Sequence, residues 1–422
     1  MKCWSSEPWN PLATESAMNM QELIKPLIQK NTSKIIMVVL DGVGGLPDAS
    51  GRTELEAADT PNLDALARGS ACGLHIPVAH GITPGSGPGH LGIFGYDPLE
   101  CQIGRGILEA LGLGLEVKKT DVAVRCNYAT FKDGVIADRR AGRVPTDQSR
   151  KLTERLQQEI EKIDDVELTF APGMEHRFAV LMRFPNNLEP DAAMLSDTDP
   201  QKEGKAPLPP AAFSKNAERV SAIAEKLIKK AHEILRNEEK ANFILTRGFS
   251  NMPHIPVFKE AFGLKALAIA TYPMYRGLAK LVGMETPALE GTVEDEISFL
   301  KQKYNDYDFF FMHVKKVDSY GEDGNFEGKA ARISEFDKLL PQVLELKPDV
   351  LVITGDHSTP AMMKGHSWHP VPVLLKSPYV LGNICNAFSE RECVKGELGI
   401  LPALNIMPLA LAHALRLKKF GA

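Results

Sequence analysis

The chain lacks the features that mark several large protein classes. Its six cysteines (Cys3, Cys72, Cys101, Cys126, Cys385, Cys393) are scattered and form no CxxC pair. That spacing reads as reduced thiols and not as a disulfide framework. There is no run of 18 apolar residues, so no transmembrane helix is expected. The opening MKCWSSEPWNPLATE has no apolar core of the kind a signal peptide needs. Net charge is −5 with no basic block, which points away from nucleic acid. A cytoplasmic protein without a membrane or nucleic-acid partner is the expectation. What remains is ordinary globular composition, 44% hydrophobic and 24% charged, over 422 residues, enough for two to three domains.

Two stretches share one grammar. KIIMVVLDG (residues 34–42) and DVLVITGDH (349–357) are each an apolar run that ends in an acid beside a glycine. Such runs suit strands buried on both faces of a parallel sheet. Residues just past the C-terminal ends of those strands lie where open α/β sheets bind ligands. Asp41, Asp356 and His357 are therefore expected in one crevice, and the carboxylate–imidazole pair suits a divalent metal. The competing reading is an Asp-capped turn with a surface His.

The segment HGITPGSGPGHLGIFGY (80–96) fits neither a dinucleotide fingerprint nor a Walker loop, and Pro84 and Pro88 exclude the G-x-S-x-G elbow. It leaves one hydroxyl, Ser86, just ahead of a predicted helix. Ser86 there is either a helix N-cap or a nucleophile. Arg105 follows between two glycines, a setting for phosphate or carboxylate binding or for a surface salt bridge.

From about residue 117 the texture changes to alternating strands (VAVRCNYATF, GVIADRRAGRV) around a Lys132-Asp133-Gly134 turn. DRRAGR places Asp138, Arg139, Arg140 and Arg143 within six positions, where three arginines repel unless an anion or acids neutralise them. VELTFAPG and HRFAVLMRF read as strands, LSDTDPQKEGKAPLPPAAF as a polar loop, and 214–237 as an amphipathic helix. NFILTRG and LKALAIATY read as a return to the first sheet. YRGLAKLVGM brings Arg276 and Lys280 near a strand end, and DYDFFFMHVKKVDSYGEDG delivers Asp318 and Glu322. HSWHPVPVLL places His366 before an edge-like strand. The expected organisation is an N-terminal extension (1–33), a mostly parallel α/β sheet domain flanked by helices (34–116 and 241–422), and an inserted smaller α+β domain (117–240).

The chemistry then accumulates. Asp41, Asp318 and Asp356 each follow a strand, and Glu322, His357 and His366 come from the same neighbourhood. So many donors exceed one tetrahedral ion but suit two metals, a recurring device for phosphoryl chemistry. With Ser86 and the arginines, the residues read as a dimetal phosphoryl-transfer enzyme using a serine nucleophile.

The motifs VVLDGVGG, TPNLDALA, TPGSGPGHLGIFGYDP, GRGILEALG, DRRAGR, DGNFEGK, ITGDHSTP and HSWHPVP extend the reading. Over about Lys34 to Leu375 the chain resembles the cofactor-independent phosphoglycerate mutases of archaeal type, within the alkaline phosphatase superfamily. The resemblance implies an alkaline-phosphatase-like fold with an insert that closes over substrate. It implies interconversion of 3- and 2-phosphoglycerate through a phosphoserine, a step of glycolysis and gluconeogenesis, with two divalent ions and without 2,3-bisphosphoglycerate. Ser86 corresponds to the phosphorylated nucleophile. Asp41, Ser86, Asp356 and His357 correspond to ligands of one metal, and Asp318, His366 and the residue at 322 to ligands of the other. Arg105, Arg125, Asp138, Arg139, Arg140, Arg143 and Arg276 correspond to substrate groups, with Asp138 the acid/base and Arg105 also catalytic. Two positions depart from the family pattern: Glu322 stands where a His is usual, and Gly87 where relatives often carry an acid. The added carboxylate should favour Mn²⁺ or Mg²⁺ over Zn²⁺, with Co²⁺ also compatible; full activity with tightly bound Zn²⁺ would contradict this. The rival expectations are another phosphomutase or phosphatase of the superfamily, a metal-binding homologue without catalysis, and a nucleotide-binding module.

Overall fold

Short apolar runs set the central sheet. The computed structural model describes residues 20–421 apart from Gln102 and His254. β1 (Ile35–Leu40) and β2 (Ala71–Ile76) are buried at every position. β3 (Asp121–Lys132), β4 (Val135–Asp138), β5 (Lys162–Ile163), β6 (Val166–Pro172), β7 (Arg177–Arg183) and β8 (Phe243–Asn251) follow with more polar sequences. β9 (Ala266–Ile269), β10 (Phe309–Val314), β11 (Val350–Thr354) and β12 (Val371–Lys376) return to apolar runs, and β13 (Gly399–Pro402) comes last.

Nine of the helices among the described residues frame the two sheets and the site. They are α1 (Pro61–Arg68), α2 (Ser86–Ile93), α3 (Arg105–Gly112), α4 (Thr146–Glu159) and α5 (Glu218–Leu235), then α6 (Pro273–Leu281), α7 (Val317–Glu322), α8 (Phe326–Leu344) and α9 (Glu390–Cys393).

The first sheet has the order β13-β2-β12-β11-β1-β10-β9. β1 lies parallel to β10 on one side and β11 on the other, so their C-terminal ends share one edge. Side chains alternate across the sheet. Met37, Val39, Phe309 and Phe311 face a core completed by Leu91, Ile93 and Tyr275 of α2 and α6. Ile36, Val38, Phe310 and Met312 face Leu63, Ile333 and Phe336 of α1 and α8. Each buried phenylalanine contributes on the order of 2 kcal/mol, so strand position is fixed strongly on both faces. The mostly parallel, helix-flanked sheet expected from the sequence is present.

Thr60 precedes Pro61 at the start of α1, but its side chain makes no capping bond and reaches Asp64 at 3.5 Å instead. β12, expected near an edge, is interior and runs antiparallel to both β11 and β2. Pairing with β11 begins only at Val373, and the Pro372 carbonyl accepts from Thr354 Oγ1 at 2.8 Å on that side. The N–H that Pro372 lacks would thus point where the ladder has already ended.

The second sheet is antiparallel, ordered β4-β3-β7-β6-β5, with β8 along β3. β8 is the stretch read as a return to the first sheet. Its Thr246, Arg247 and Ser250 give it the half-polar face of a strand covered on one side, and it pairs with Val122–Ala129. α4 and α5 supply Leu152, Leu156, Val220, Ala224 and Leu227 to the core on this sheet. Of the expected N-terminal extension, residues 1–19 lie outside the described residues. Residues 20–33 pack on the first sheet: Ile24 is buried in its core, and Gln29 N donates to Arg416 O at 2.9 Å. Among the described residues, no helix is long and apolar enough to cross a membrane.

Candidate active site

The parallel arrangement of β10, β1 and β11 decides which side chains meet. Each strand stops and hands over polar residues: Lys315 and Asp318 after β10, Asp41 after β1, Asp356 and His357 after β11. Two groups of potential metal ligands result, Asp41–Asp356–His357 and Asp318–His357–His366, each with ligand atoms within 4.8 Å of one another. The imidazoles are held from behind. His357 Nδ1 is 2.9 Å from Thr359 Oγ1 and His366 Nδ1 is 2.9 Å from Pro84 O, leaving Nε2 of both rings for the site. The two rings stack at 3.6 Å.

The donor set fits cations. Asp41 Oδ1 and Asp356 Oδ2 are fully buried without a well-aligned hydrogen bond, although Asp356 Oδ2 lies 3.1 Å from His357 Nε2 and from His90 Nδ1. Buried acids so placed need positive charge nearby. Glu322 stands at the edge: its side chain is 55% exposed, and Oε1 lies 3.8 Å from His366 Nε2, outside both tight groups.

Ser86 is the first residue of α2, and Gly85 precedes it in the capping position. Its hydroxyl is 3.4 Å from His357 Nε2. α2 can approach the end of β11 this closely because of Gly89, where an added Cβ would sit 2.4 Å from the Asp356 carbonyl. We expect Gly89→Ala to cost about 1–3 kcal/mol and to weaken divalent-metal affinity about 10–100-fold by displacing Asp356, as calorimetric titration would measure.

Lys315, which the sequence reading passed over, bridges the two groups. Its Nζ is 2.7 Å from Asp41 Oδ2 and 3.1 Å from Asp318 Oδ2. Burial opposes its charge, but these carboxylates outweigh burial and hold it above the usual lysine range. Tyr275, also missed, donates to Asp41 Oδ2 at 2.7 Å and stacks on His313 at 3.8 Å. Burial and then Asp356 push Asp41 up to about 7. Burial alone would lower His357, but Asp356 reverses this and pushes it up to about 9. The same pairing, with His90, overcomes burial to hold Asp356 well below the usual carboxylate range.

A cleft of about 320 Å³ adjoins this centre, lined by Arg105, Arg125, Arg177 and Tyr272 among others. Tyr272 connects the two, since Lys315 Nζ lies 5.5 Å from its ring centre. The cationic cluster is a product of strand register. Arg125 on β3 is directly opposite Arg247 on β8, and Arg177 on β7 pairs with Asn127, two positions along β3. Like charges so placed repel. Acids relieve part of this: Asp199 takes Arg139 through two 2.7 Å bonds and lies 3.5 Å from Arg247. Among the described residues the acid paired with Arg125 is Glu109, at 3.6 Å, and burial together with Arg177, Arg247 and Arg105 lowers its pKa against that partner. Burial and Arg177 push His176 beside them down to about 4, so it is neutral at pH 7.

Asp138 accepts from Arg140 N and Gly142 N, both at 2.7 Å, and so shapes the left-handed turn at Ala141–Arg143. Arg140 and Arg143 are exposed on that turn, and Arg140 is among the charges acting on His176. Arg139 is occupied by Asp199. Arg276 does not reach the arginine cleft; it lines a separate cavity with Lys280 and points Nη1 at Leu289 O, 3.5 Å away. The glycines flanking Arg105 serve packing, because a Cβ at Gly104 or Gly106 would strike Ser250 or the Ala123 carbonyl.

A family model described as 2,3-bisphosphoglycerate-independent phosphoglycerate mutase matches residues 67–241. A probable 2,3-bisphosphoglycerate-independent phosphoglycerate mutase from Aquifex aeolicus is 61% identical over 406 residues, covering 95% of this chain and 100% of the relative. The protein of the same description from Thermotoga maritima is 53% identical over 402 residues, covering 95% and 99%. The solved cofactor-independent phosphoglycerate mutase from Thermoplasma acidophilum superposes with a TM-score of 0.73 at 28% identity, covering 90% of this chain and 100% of that one. The PH0037 protein from Pyrococcus horikoshii gives 0.77 at 30% identity, covering 93% and 100%. The chain belongs to the family of 2,3-bisphosphoglycerate-independent phosphoglycerate mutases.

Proposed function

We propose that the chain interconverts 3-phosphoglycerate and 2-phosphoglycerate by moving the phosphoryl group onto Ser86 and back. Family membership makes it an isomerase, and the observation that carries the route is the Ser86 hydroxyl, 3.4 Å from His357 Nε2 at the mouth of two ligand groups. Asp41, Ser86, Asp356 and His357 would hold one divalent ion; Asp318, His366 and Glu322 would hold the other, with Mn²⁺ or Mg²⁺ favoured by the extra carboxylate. When bound, the ions supply Lewis acidity and positive charge for phosphoryl transfer.

The chain's own residues do the rest. Arg105, Arg125 and Arg177 bind the anionic ends of the substrate, and Arg140 and Arg143 extend that surface from the Asp138 turn. Ser86 Oγ attacks phosphorus in line, and Lys315 balances charge on the equatorial oxygens. The P–O bond to the glycerate oxygen breaks as Asp138 gives that oxygen a proton, and Asp138 later takes back the proton of the other hydroxyl as that hydroxyl attacks. The freed glycerate turns over between the two sheets, and its second hydroxyl removes the phosphoryl group from Ser86. Exclusion of water during that interval separates a mutase from a phosphatase.

Phosphorus NMR of the Mn²⁺-supplemented protein with 3-phosphoglycerate, without bisphosphoglycerate, tests this directly. The 2-phosphoglycerate signal should grow to equilibrium. Growth of inorganic phosphate alone would make the chain a hydrolase.

A further inference from the structure

Cys72 meets two cysteines from far along the chain, Cys385 and Cys393, in a buried core. Cys72 lies on β2, Cys385 in the segment after β12, and Cys393 at the end of α9. They are 1%, 2% and 0% exposed. All three share one buried core, and Gly396, whose N donates to Cys393 O at 3.0 Å, packs so tightly on Cys72 that an added Cβ would lie 3.0 Å from the Cys72 Cβ. Cys393 is the principal cause of a Cys72 thiol held below its usual range, so the central sulfur is the better nucleophile. Cys385 Sγ lies 3.2 Å from Glu392 O, under a thin cover between exposed Ile384 and Asn386. The cluster also touches the frame of the active site. α9 carries Glu390, whose carboxylate accepts from Gly45 N at 2.8 Å and from Thr53 Oγ1 at 2.7 Å. Gly45 belongs to the loop that follows Asp41.

We propose that Cys72 and Cys393 form a reversible disulfide, with Cys385 as the alternate partner, that fastens α9 to β2 and braces the loop after Asp41. The oxidant is a hydroperoxide. The Cys72 thiolate attacks the peroxide oxygen, the O–O bond breaks, and Cys72 becomes a sulfenic acid while an alcohol or water leaves. The Cys393 thiol then attacks that sulfur, the S–S bond forms and water departs. Two thiols supply the two electrons and two protons, and a dithiol reductant reverses the change. This site is independent of the mutase reaction, and its test does not require turnover.

The full-length protein is treated with hydrogen peroxide, alkylated, digested without reductant and mapped by mass spectrometry. The expected result is a Cys72 peptide joined to the Cys393 peptide, lost on adding dithiothreitol, with a reversible rise in thermal midpoint of about 5 °C. Cys393→Ser should move the link to Cys385; if that variant does not fold, the wild-type map decides alone. The proposal is overturned if all three thiols stay free while the less buried Cys101 is oxidised. It is equally overturned if they pass to sulfinic acids unlinked, or if a thiophilic metal ion bound to the reduced protein protects them. A link without a rise in midpoint would overturn the bracing role.

Discussion

Ser86→Ala is expected to lower mutase activity by at least about 10⁴-fold while leaving the protein folded. The size follows from role: removing a nucleophile abolishes the covalent route and leaves only what binding and electrostatics achieve. The small structural cost follows from position. Ser86 is half-buried, its hydroxyl makes no capping bond in α2, and its polar side-chain neighbours in the site are His357, at 3.4 Å, and the Tyr275 hydroxyl. Loss of those contacts should change stability by less than about 1 kcal/mol. Substrate binding should survive, because the arginines stand on other elements. Phosphorus NMR for turnover and calorimetry for 3-phosphoglycerate binding separate the two effects. A variant that still turns over within tenfold of the wild type would remove Ser86 from the mechanism.

Removal of divalent ions is expected to abolish activity, and their return should depend steeply on pH. Metal ligands must shed their protons. His357, pushed up to about 9, carries a proton at neutral pH in the metal-free protein, and Asp41, pushed up to about 7, carries one below that value. Mn²⁺ affinity should therefore rise about tenfold per pH unit between pH 7 and 9, more steeply below 7, and level off above 9. Stability of the metal-free protein should run the other way. The raised His357 contributes stability that is fully present below its unfolded value of 6.5 and is lost as pH passes through about 9. Asp41 is an acid raised by burial, so its contribution is present below 3.8 and is lost as pH rises through about 7. Scanning calorimetry of chelator-treated protein should thus show a falling thermal midpoint from pH 6 to 9, and Mn²⁺-loaded protein should not. Metal uptake without proton release at pH 7 would contradict the assignment of His357.

Where strand ends carry the chemistry, the sequence was readable. Asp41, Asp356 and His357 follow unbroken apolar runs, and a parallel sheet forces such ends together. Ser86 was visible because glycines and prolines left it as the lone hydroxyl ahead of a helix. What escaped depends on pairing between distant segments. Arg177 joins Arg125 only through the β3–β7 register, across about fifty residues of sequence. Asp199, which occupies Arg139, sits in a stretch that reads as a polar loop yet is 2% exposed. Lys315 looks like one of two surface lysines until β10 ends beside β1. The start of α6 near a strand end points Arg276 toward the substrate, but the face of α6 that meets Asp41 belongs to Tyr275. The cysteines looked scattered for the same reason: β2 and α9 are neighbours in space alone.

The most direct test is rapid quenching of the enzyme with 3-phosphoglycerate labelled in its phosphoryl group, followed by peptide mapping. Label on the peptide containing Ser86, appearing and decaying on the timescale of turnover, is the predicted result. Label on another side chain, or full turnover with no labelled protein at any quench time, would contradict transfer through Ser86.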